Sequence, residues 1–374
     1  MKLLIITPYL SYVGGTEIET LTTAQALANS GKFKRIEIFC PHKPNHENYL
    51  DLFSSPKITF STYPAFFKNE NVRKINRIFR ITFNLKTSFL ENTYWFLKRL
   101  RGFDYAYILA TTSDLYYIPL LNNFNRKNCI LKFTILYQEK STEWRKQYFR
   151  SLKNIIVTNH CHKEFLTTSF QSNNVVVQDL IIANEKNLLQ NVTTRKYTFG
   201  LLCRFSKEKR IEQAIRLIEK LNVNNKNATL IIQGEGDETY FEKLKEMIKS
   251  LHLNEFITLV KSNIPPAQTH LFYQNISFFL ITSEFETGPL TGLEAMSAGI
   301  PVLSYSVGAM KTRLKYHDFL IVNEFEEMCE IASQLIDLKK IEYQTLSNSI
   351  RQTYISQSSN YPKIEKLKDL FFQK

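Results

Sequence analysis

Between two short apolar runs, residues 278–281 and 301–305, the chain carries a Gly-Pro corner at Gly288-Pro289 and then a stretch that reads as a helix. Pro289 suits a first helical position, and Gly299 followed by Pro301 supplies the stop. The flanking runs are continuous rather than alternating, as strands buried on both faces are. A strand–turn–helix–strand unit of this kind belongs to an open α/β sheet. It leaves free backbone N–H groups and a positive dipole end at Gly288, Leu290 and Thr291, which is an anion site by construction. Glu286 stands just ahead of the corner and Glu294 more than a turn inside it, so the two carboxylates can serve different parts of one ligand. An ordinary βαβ unit with solvated acids has the same pattern.

The same alternation runs along the whole chain. In the first half, residues 3–7 read as a strand, 11–16 as a glycine-containing loop and 17–30 as a helix. Strands at 36–40, 105–110, 129–136 and 155–158 continue an open sheet. In the second half, strands at 197–203, 229–233 and 256–261 alternate with helices at 211–221 and 240–251. The polar stretch 191–196 is the expected linker. The expected fold is α/β, with two doubly wound Rossmann-like domains facing each other across a cleft and ligand at the carboxyl ends of the strands. The expected N-terminal domain spans residues 1–192 and the C-terminal one 193–355. A last helix within 356–374 should pack back toward the first domain. At 374 residues, with 44% apolar and 22% charged residues, the chain is long enough for two ordinary cores and is not disordered.

Five scattered cysteines with no Cys-x-x-Cys pair fit a reducing compartment and argue against a disulfide framework or a zinc site. His160-Cys161-His162 places its ligand types on adjacent positions, a poor arrangement for a metal. No apolar stretch approaches the roughly 20 residues that span a bilayer. These features lead to the expectation of a protein in the cytoplasm, either free or attached to the inner face of the membrane.

Charge is unevenly placed. Residues 1–195 hold 26 Lys and Arg against 14 Asp and Glu, while the remainder holds 22 against 21. Much of the excess falls on Arg73, Lys74, Arg77, Arg80, Lys98, Arg99 and Arg101, interleaved with Phe66, Phe67, Phe79, Phe83, Phe89 and Trp95. A basic, aromatic, amphipathic segment of this kind suits an anionic membrane surface, or an acceptor of that charge. A solvated helix face over aromatic core residues is the plainer reading. Nucleic acid is disfavoured because no recognised nucleic-acid motif accompanies the charge.

Three further loops follow strands. Arg204 and Lys209 come after the strand at 197–203, and two fixed cations there can stabilise a departing diphosphate. Gly234-Glu235-Gly236 permits a tight turn and close approach of a ligand, although a plain strand-to-helix turn looks the same. Lys261 and Ser262 end the next strand and are placed as neighbours of a nucleotide base. Gly14-Gly15-Thr16-Glu17 follows the first strand.

Taken together, Glu286-x7-Glu294 ending in Glu294-Ala295-Met296-x-x-Gly299-x-Pro301-Val302, the Arg204-x4-Lys209 pair and the Gly14-Gly15-x-Glu17 loop closely resemble the retaining glycosyltransferases of family 4, which have the GT-B fold. The resemblance runs from residue 1 to about 335 and is weak between about 45 and 150. It implies a sugar moved from a nucleotide-sugar, a UDP-sugar being favoured, to a hydroxyl of a glycan or lipid-linked glycan precursor in cell-surface polysaccharide, lipopolysaccharide or glycoconjugate assembly. It implies no cofactor and no required metal. Arg204 and Lys209 would hold the diphosphate, with the amides near Leu290. Glu286 would support the donor sugar, Glu294 would accept from the ribose hydroxyls, and Gly14 and Gly15 would lie near the phosphates. The chain departs from the pattern at Cys203 and Arg210, each a glycine in the family, and at Thr287-Gly288-Pro289, where Gly-Phe-Gly is usual. It also lacks a histidine between His46 and His160, where many members of the family carry one facing the sugar, so that role is either absent or taken by another residue such as one within 111–114. A catalytically silent GT-B protein that binds a glycosyltransferase or a glycan substrate is the competing expectation.

Overall fold

The computed structural model describes residues 1–8, 10, 14–41, 55–85, 88–99, 102–111, 118–135 and 143–372. It divides into two compact units, Met1–Ile181 joined by the C-terminal residues from Lys363, and Ile182–Pro362.

The first unit contains β1 (Lys2–Ile6), α1 (Gly15–Asn29), β2 (Arg35–Phe39), β3 (Ile58–Ser61), α2 (Glu70–Thr82), α3 (Phe89–Arg99), β4 (Tyr105–Thr111), α4 (Ile118–Asn123), β5 (Cys129–Ile135), α5 (Glu143–Ser151), β6 (Asn154–Val157), α6 (His160–Ser169) and β7 (Val175–Val177). Its sheet has the order β3-β2-β1-β4-β5-β6-β7, with every pairing parallel. Continuous apolar strands demand cover on both faces. One face packs Leu4, Ile6, Trp95 and Phe133, and the other packs Leu3, Ile5, Leu21 and Tyr107.

The second unit contains α7 (Glu185–Leu189), β8 (Thr198–Leu202), α8 (Ile211–Val223), β9 (Thr229–Gly234), α9 (Glu238–Ser250), β10 (Ile257–Lys261), α10 (Thr269–Tyr273), β11 (Phe278–Ile281), α11 (Leu290–Ser297), β12 (Val302–Tyr305), α12 (Met310–Arg313), β13 (Ile321–Val322), α13 (Phe325–Asp337) and α14 (Lys340–Ser358). Its sheet runs β10-β9-β8-β11-β12-β13, again all parallel.

The boundary falls at residues 181–182 rather than at 192–193. The expected linker, 191–196, lies inside the second unit, where Arg195 donates to the carbonyl of Ile336 (2.6 Å) and the Lys196 amide to Ser277 (2.6 Å). Asn191 donates to the carbonyl of Ala298 (3.1 Å), and Tyr354 donates to Glu185 (2.6 Å). The last helix, α15 (Asn360–Phe372), belongs from Lys363 to the first unit, where Leu367 and Phe371 are buried on the face that carries Leu3 and Ile5. Lys153 donates to the carbonyl of Phe371 (2.9 Å).

Candidate active site

In a doubly wound sheet the ligand crevice opens where adjacent strands send their connections in opposite directions. In the second unit that place is between β8 and β11, which pair through Phe199 with Phe278 and Gly200 with Phe279. The loops leaving their carboxyl ends carry Arg204 and Lys209 on one side and Glu286 on the other. Hydrogen bonds sew the two loops together. Thr282 Oγ1 donates to the carbonyl of Lys209 (2.7 Å), and the Glu284 amide donates to the carbonyl of Glu208 (2.8 Å). Lys209 Nζ then sits 2.5 Å from Glu286 Oε1, which also accepts from Ser283 Oγ at 2.9 Å. Both partners of this ion pair are mostly buried, 14% and 16% exposed, so solvent screens it only partly. Lys209, Glu286, Pro289 and Thr291 line a small pocket that opens to solvent. Arg204, Gly288, Leu290 and Glu294 do not line it.

The helix behind the pocket begins at Leu290, and Pro289 is its N-cap rather than its first residue. Proline φ is suited to either position, but Pro289 ψ of 121° is extended, so the helical turn starts one residue later. No side chain caps this end. Its first-turn amides therefore lack partners within the helix, and the dipole there favours an anion. Glu294 follows on the same helix and is buried, 2% exposed. Burial pushes its carboxyl up to about 7, against the hydrogen bond donated by the Tyr273 hydroxyl to Oε2 at 3.0 Å. The same hydroxyl lies 3.1 Å from the carbonyl of Thr291. Gly308 lets the loop after β12 lie against the pocket backbone, since a Cβ there would meet the carbonyl oxygens of Thr287 and Glu286 at 2.6 and 2.7 Å.

The other expected site residues fall into several environments. Arg204 is 68% exposed and reaches Glu208 at 3.5 Å. Gly234 and Gly236 are required by their own strand crossing. A Cβ on Gly234 would stand 1.9 Å from the Cys203 carbonyl oxygen, and one on Gly236 would stand 2.5 Å from that of Phe205. The two glycines thus hold the segment that bears Arg204 in place, with Phe205 donating to the Glu235 carbonyl (2.8 Å). Lys261 pairs with Glu238 at the start of α9, and Ser262 accepts from Gln233 (3.1 Å). In the first unit, Gly14 is the N-cap of α1 and Gly15 its first residue, so Gly15 lies in the helix and not in a loop. These glycines follow β1, next to β4 at the corresponding switch point of that sheet. Of the stretch expected to replace the missing histidine, Thr111 ends β4, while 112–114 lie outside the described residues. At 160–162, Asn159 caps α6 by accepting from the His162 amide (2.8 Å).

The basic segment is divided. Arg73, Lys74, Arg77, Arg80 and Arg99 are exposed, and Arg101 lies outside the described residues. Lys98 is not part of a surface patch. It is buried beside β2, paired with Glu37, donating to Ser61 (3.0 Å) and to Tyr94 (3.0 Å), with its ammonium 5.2 Å from the ring centre of Phe39. Helix α2 has no buried residue, and Ile75, Ile78 and Phe79 are exposed. It is held to α3 by polar contacts, as Asn76 donates to Ser88 (2.7 Å) and Glu91 (3.1 Å), and by the Phe79 ring, which stacks on Phe89 at 6.2 Å between centroids. Among the described residues, no helix is long and apolar enough to cross a membrane.

Sequence reasoning did not find Tyr273, whose position carries no motif. Ser283 and Gly308 have no signal of their own either. Arg210, standing where the resembled family has glycine, was visible only as a departure.

Residues 185–353 match the family model described as Glycosyl transferases group 1. An alpha-monoglucosyldiacylglycerol synthase of Streptococcus pneumoniae is 30% identical over 104 residues, which are 28% of this chain and 23% of that protein. The match thus reaches less than a quarter of that relative's length. The sucrose-phosphate synthase of Thermosynechococcus elongatus superposes with a TM-score of 0.75 at 17% identity, over 100% of this chain and 98% of that one. TarM of S. aureus, solved with Fondaparinux, alpha-GlcNAc-glycerol and UDP, superposes with a TM-score of 0.71 at 14% identity, over 100% of both chains. The chain therefore has the GT-B fold of these neighbours, and the part of it that matches the group 1 glycosyltransferase model is residues 185–353.

Proposed function

We propose that this protein is a retaining glycosyltransferase that moves a sugar from a nucleotide-sugar, a UDP-sugar being favoured, to a hydroxyl of a glycan or lipid-linked glycan. The observation that carries this reading is the Lys209–Glu286 pair at the switch point between β8 and β11, beside the uncapped start of α11. A cation, a carboxylate and free helix amides at one crevice are what a diphosphate leaving a sugar requires. Lys209 and Arg204 neutralise the diphosphate as its charge grows, and the first amides of α11, at Leu290 and Thr291, receive its oxygens. Glu286 faces the sugar and supports positive character at the anomeric carbon. In a front-face displacement the bond from that carbon to the diphosphate breaks and a bond to the acceptor oxygen forms on the same face. The acceptor's proton passes to the departing diphosphate. Glu294 accepts from the ribose hydroxyls. The fixed cations and the helix end supply the charge neutralisation, so the reaction needs no metal from this protein's side. The UDP bound to TarM supports the choice of nucleotide.

Exposed α2 supports attachment to the inner face of an anionic membrane, where a lipid-linked acceptor would be met. Its apolar residues Ile75, Ile78 and Phe79 share one face, and Arg73, Arg77 and Arg80 the other.

The test is a panel of UDP-, GDP- and ADP-sugars with wild type, Glu294→Ala and Arg204→Ala. Thermal stabilisation and slow nucleotide release with one donor, lost in both variants, are expected. Proton NMR of the transferred product should show the donor's anomeric configuration. Equal indifference of all three proteins to every donor would reject the reading in favour of a silent binding protein.

A further inference from the structure

Arg210 occupies a backbone conformation that its side chain disfavours. Its φ of 46° is left-handed, a region in which a side chain's Cβ crowds the following carbonyl oxygen. It is also the N-cap of α8 and cannot serve as one by side chain, so the first amide of that helix donates instead to the hydroxyl of Tyr240 (3.2 Å). What the guanidinium does elsewhere is specific. Nε donates to the carbonyl of Thr282 (3.0 Å) and Nη2 to the carbonyl of Ser283 (3.3 Å). Its plane lies over the ring of Tyr305, 4.6 Å from the centroid. One side chain thus bridges the loop after β8, the end of β11 and the end of β12.

We propose that Arg210 is a positioning residue that clamps the Lys209 loop to the Ser283–Glu286 loop and so fixes the distance between the leaving-group cation and the sugar-side carboxylate. Charge-assisted bonds to two successive carbonyls restrain direction as well as distance, which a glycine at this position cannot do. The other ties between the loops, from Thr282 Oγ1 and the Glu284 amide, lie on either side of the fork. The clamp turns the guanidinium away from the pocket, leaving Lys209 as its lining cation.

The catalytic consequence rests on the transferase reading above, whereas the clamp itself does not, and the experiment separates them. Arg210→Gly and Arg210→Asn both suit a left-handed backbone, so they relieve the strain while removing the fork. Amide hydrogen exchange should then quicken at Lys209 and Glu284 with far-UV circular dichroism unchanged. Because Lys209 acts on charge that develops in the transition state, kcat should fall roughly ten- to hundredfold with donor KM little changed. Arg210→Lys, which cannot make both bonds, should not restore kcat. Unchanged exchange at Lys209 and Glu284 overturns the clamp. Faster exchange with unchanged kcat overturns its positioning role. If the wild type turns over no nucleotide-sugar while the variants still exchange faster, the clamp stands and the transferase reading fails.

Discussion

Glu286 and Glu294 are the same residue type in neighbouring segments, and their surroundings give them different chemistry. Glu286 has a cation at 2.5 Å, whereas Glu294 has only a neutral hydroxyl. Glu294's carboxyl is raised to about 7 by burial, so the folded state binds its proton more tightly than the unfolded chain, whose ordinary value is 4.5. Between those two values the native state holds more protons, and stability therefore falls as pH rises, with the full penalty present above 7. The melting temperature of the wild type should decline from pH 5 to pH 8 by more than that of Glu294→Gln, which has no such titration. On the proposed transferase reading, in which ribose hydroxyls donate to the ionised carboxylate, nucleoside diphosphate affinity should move the other way; calorimetry across the same range checks it. Replacing Lys209 by Ala removes the lining cation and leaves Glu286 with Ser283, so turnover should drop at least about a hundredfold in steady-state assays. Both glutamates and Lys209 could be picked out in the sequence because their spacing from strand ends and helix starts is local. Tyr273 and Arg210 could not, because what matters about them is which backbone they meet.

At the scale of elements, α2 and α3 show how composition can mislead. Helix α2 carries four cations and α3 four aromatic rings, yet α2 buries nothing, while α3 sends Trp95 and Lys98 into the sheet. Burial raises the Glu37 carboxyl, but the hydrogen bonds from Lys98 and Ser61 and the Lys98 charge outweigh it, and it titrates below its usual range. Lys98→Ala leaves Glu37 with Ser61 and the half-exposed Arg35 (3.5 Å), so it should cost about 1.5–3 kcal/mol in denaturant unfolding, the range of a hydrogen bond to a charged group. Ile75→Asp and Ile78→Asp on α2 should change stability by no more than about 0.5 kcal/mol, as exposed positions do. The same two substitutions should abolish cosedimentation with vesicles containing phosphatidylglycerol, an outcome that a merely solvated helix would not produce.

At the scale of the whole molecule, the last helix connects the end of the chain to the core of its first unit. Leu367 and Phe371 are buried there, so Phe371→Ala should cost about 3–5 kcal/mol. Hydrogen exchange should quicken in β1 and β4, with β8 and β11 unaffected, because the second unit has its own core. The sequence by itself determined the two parallel α/β sheets and most strand and helix positions, because continuous apolar runs and Gly or Pro stops act over a few residues. It also determined that Lys209 and Glu286 follow strand ends and that Glu294 lies within the next helix. Tertiary structure alone decided where the first unit ends, since residues 191–196 look like a polar linker until Asn191 and Arg195 find partners far along the chain. It decided as well which lysines are surface cations and which are buried counter-ions. It further decided that an arginine in a glycine's place would grip two carbonyls from another strand. Those outcomes depend on contacts between residues distant in sequence, which no local pattern encodes.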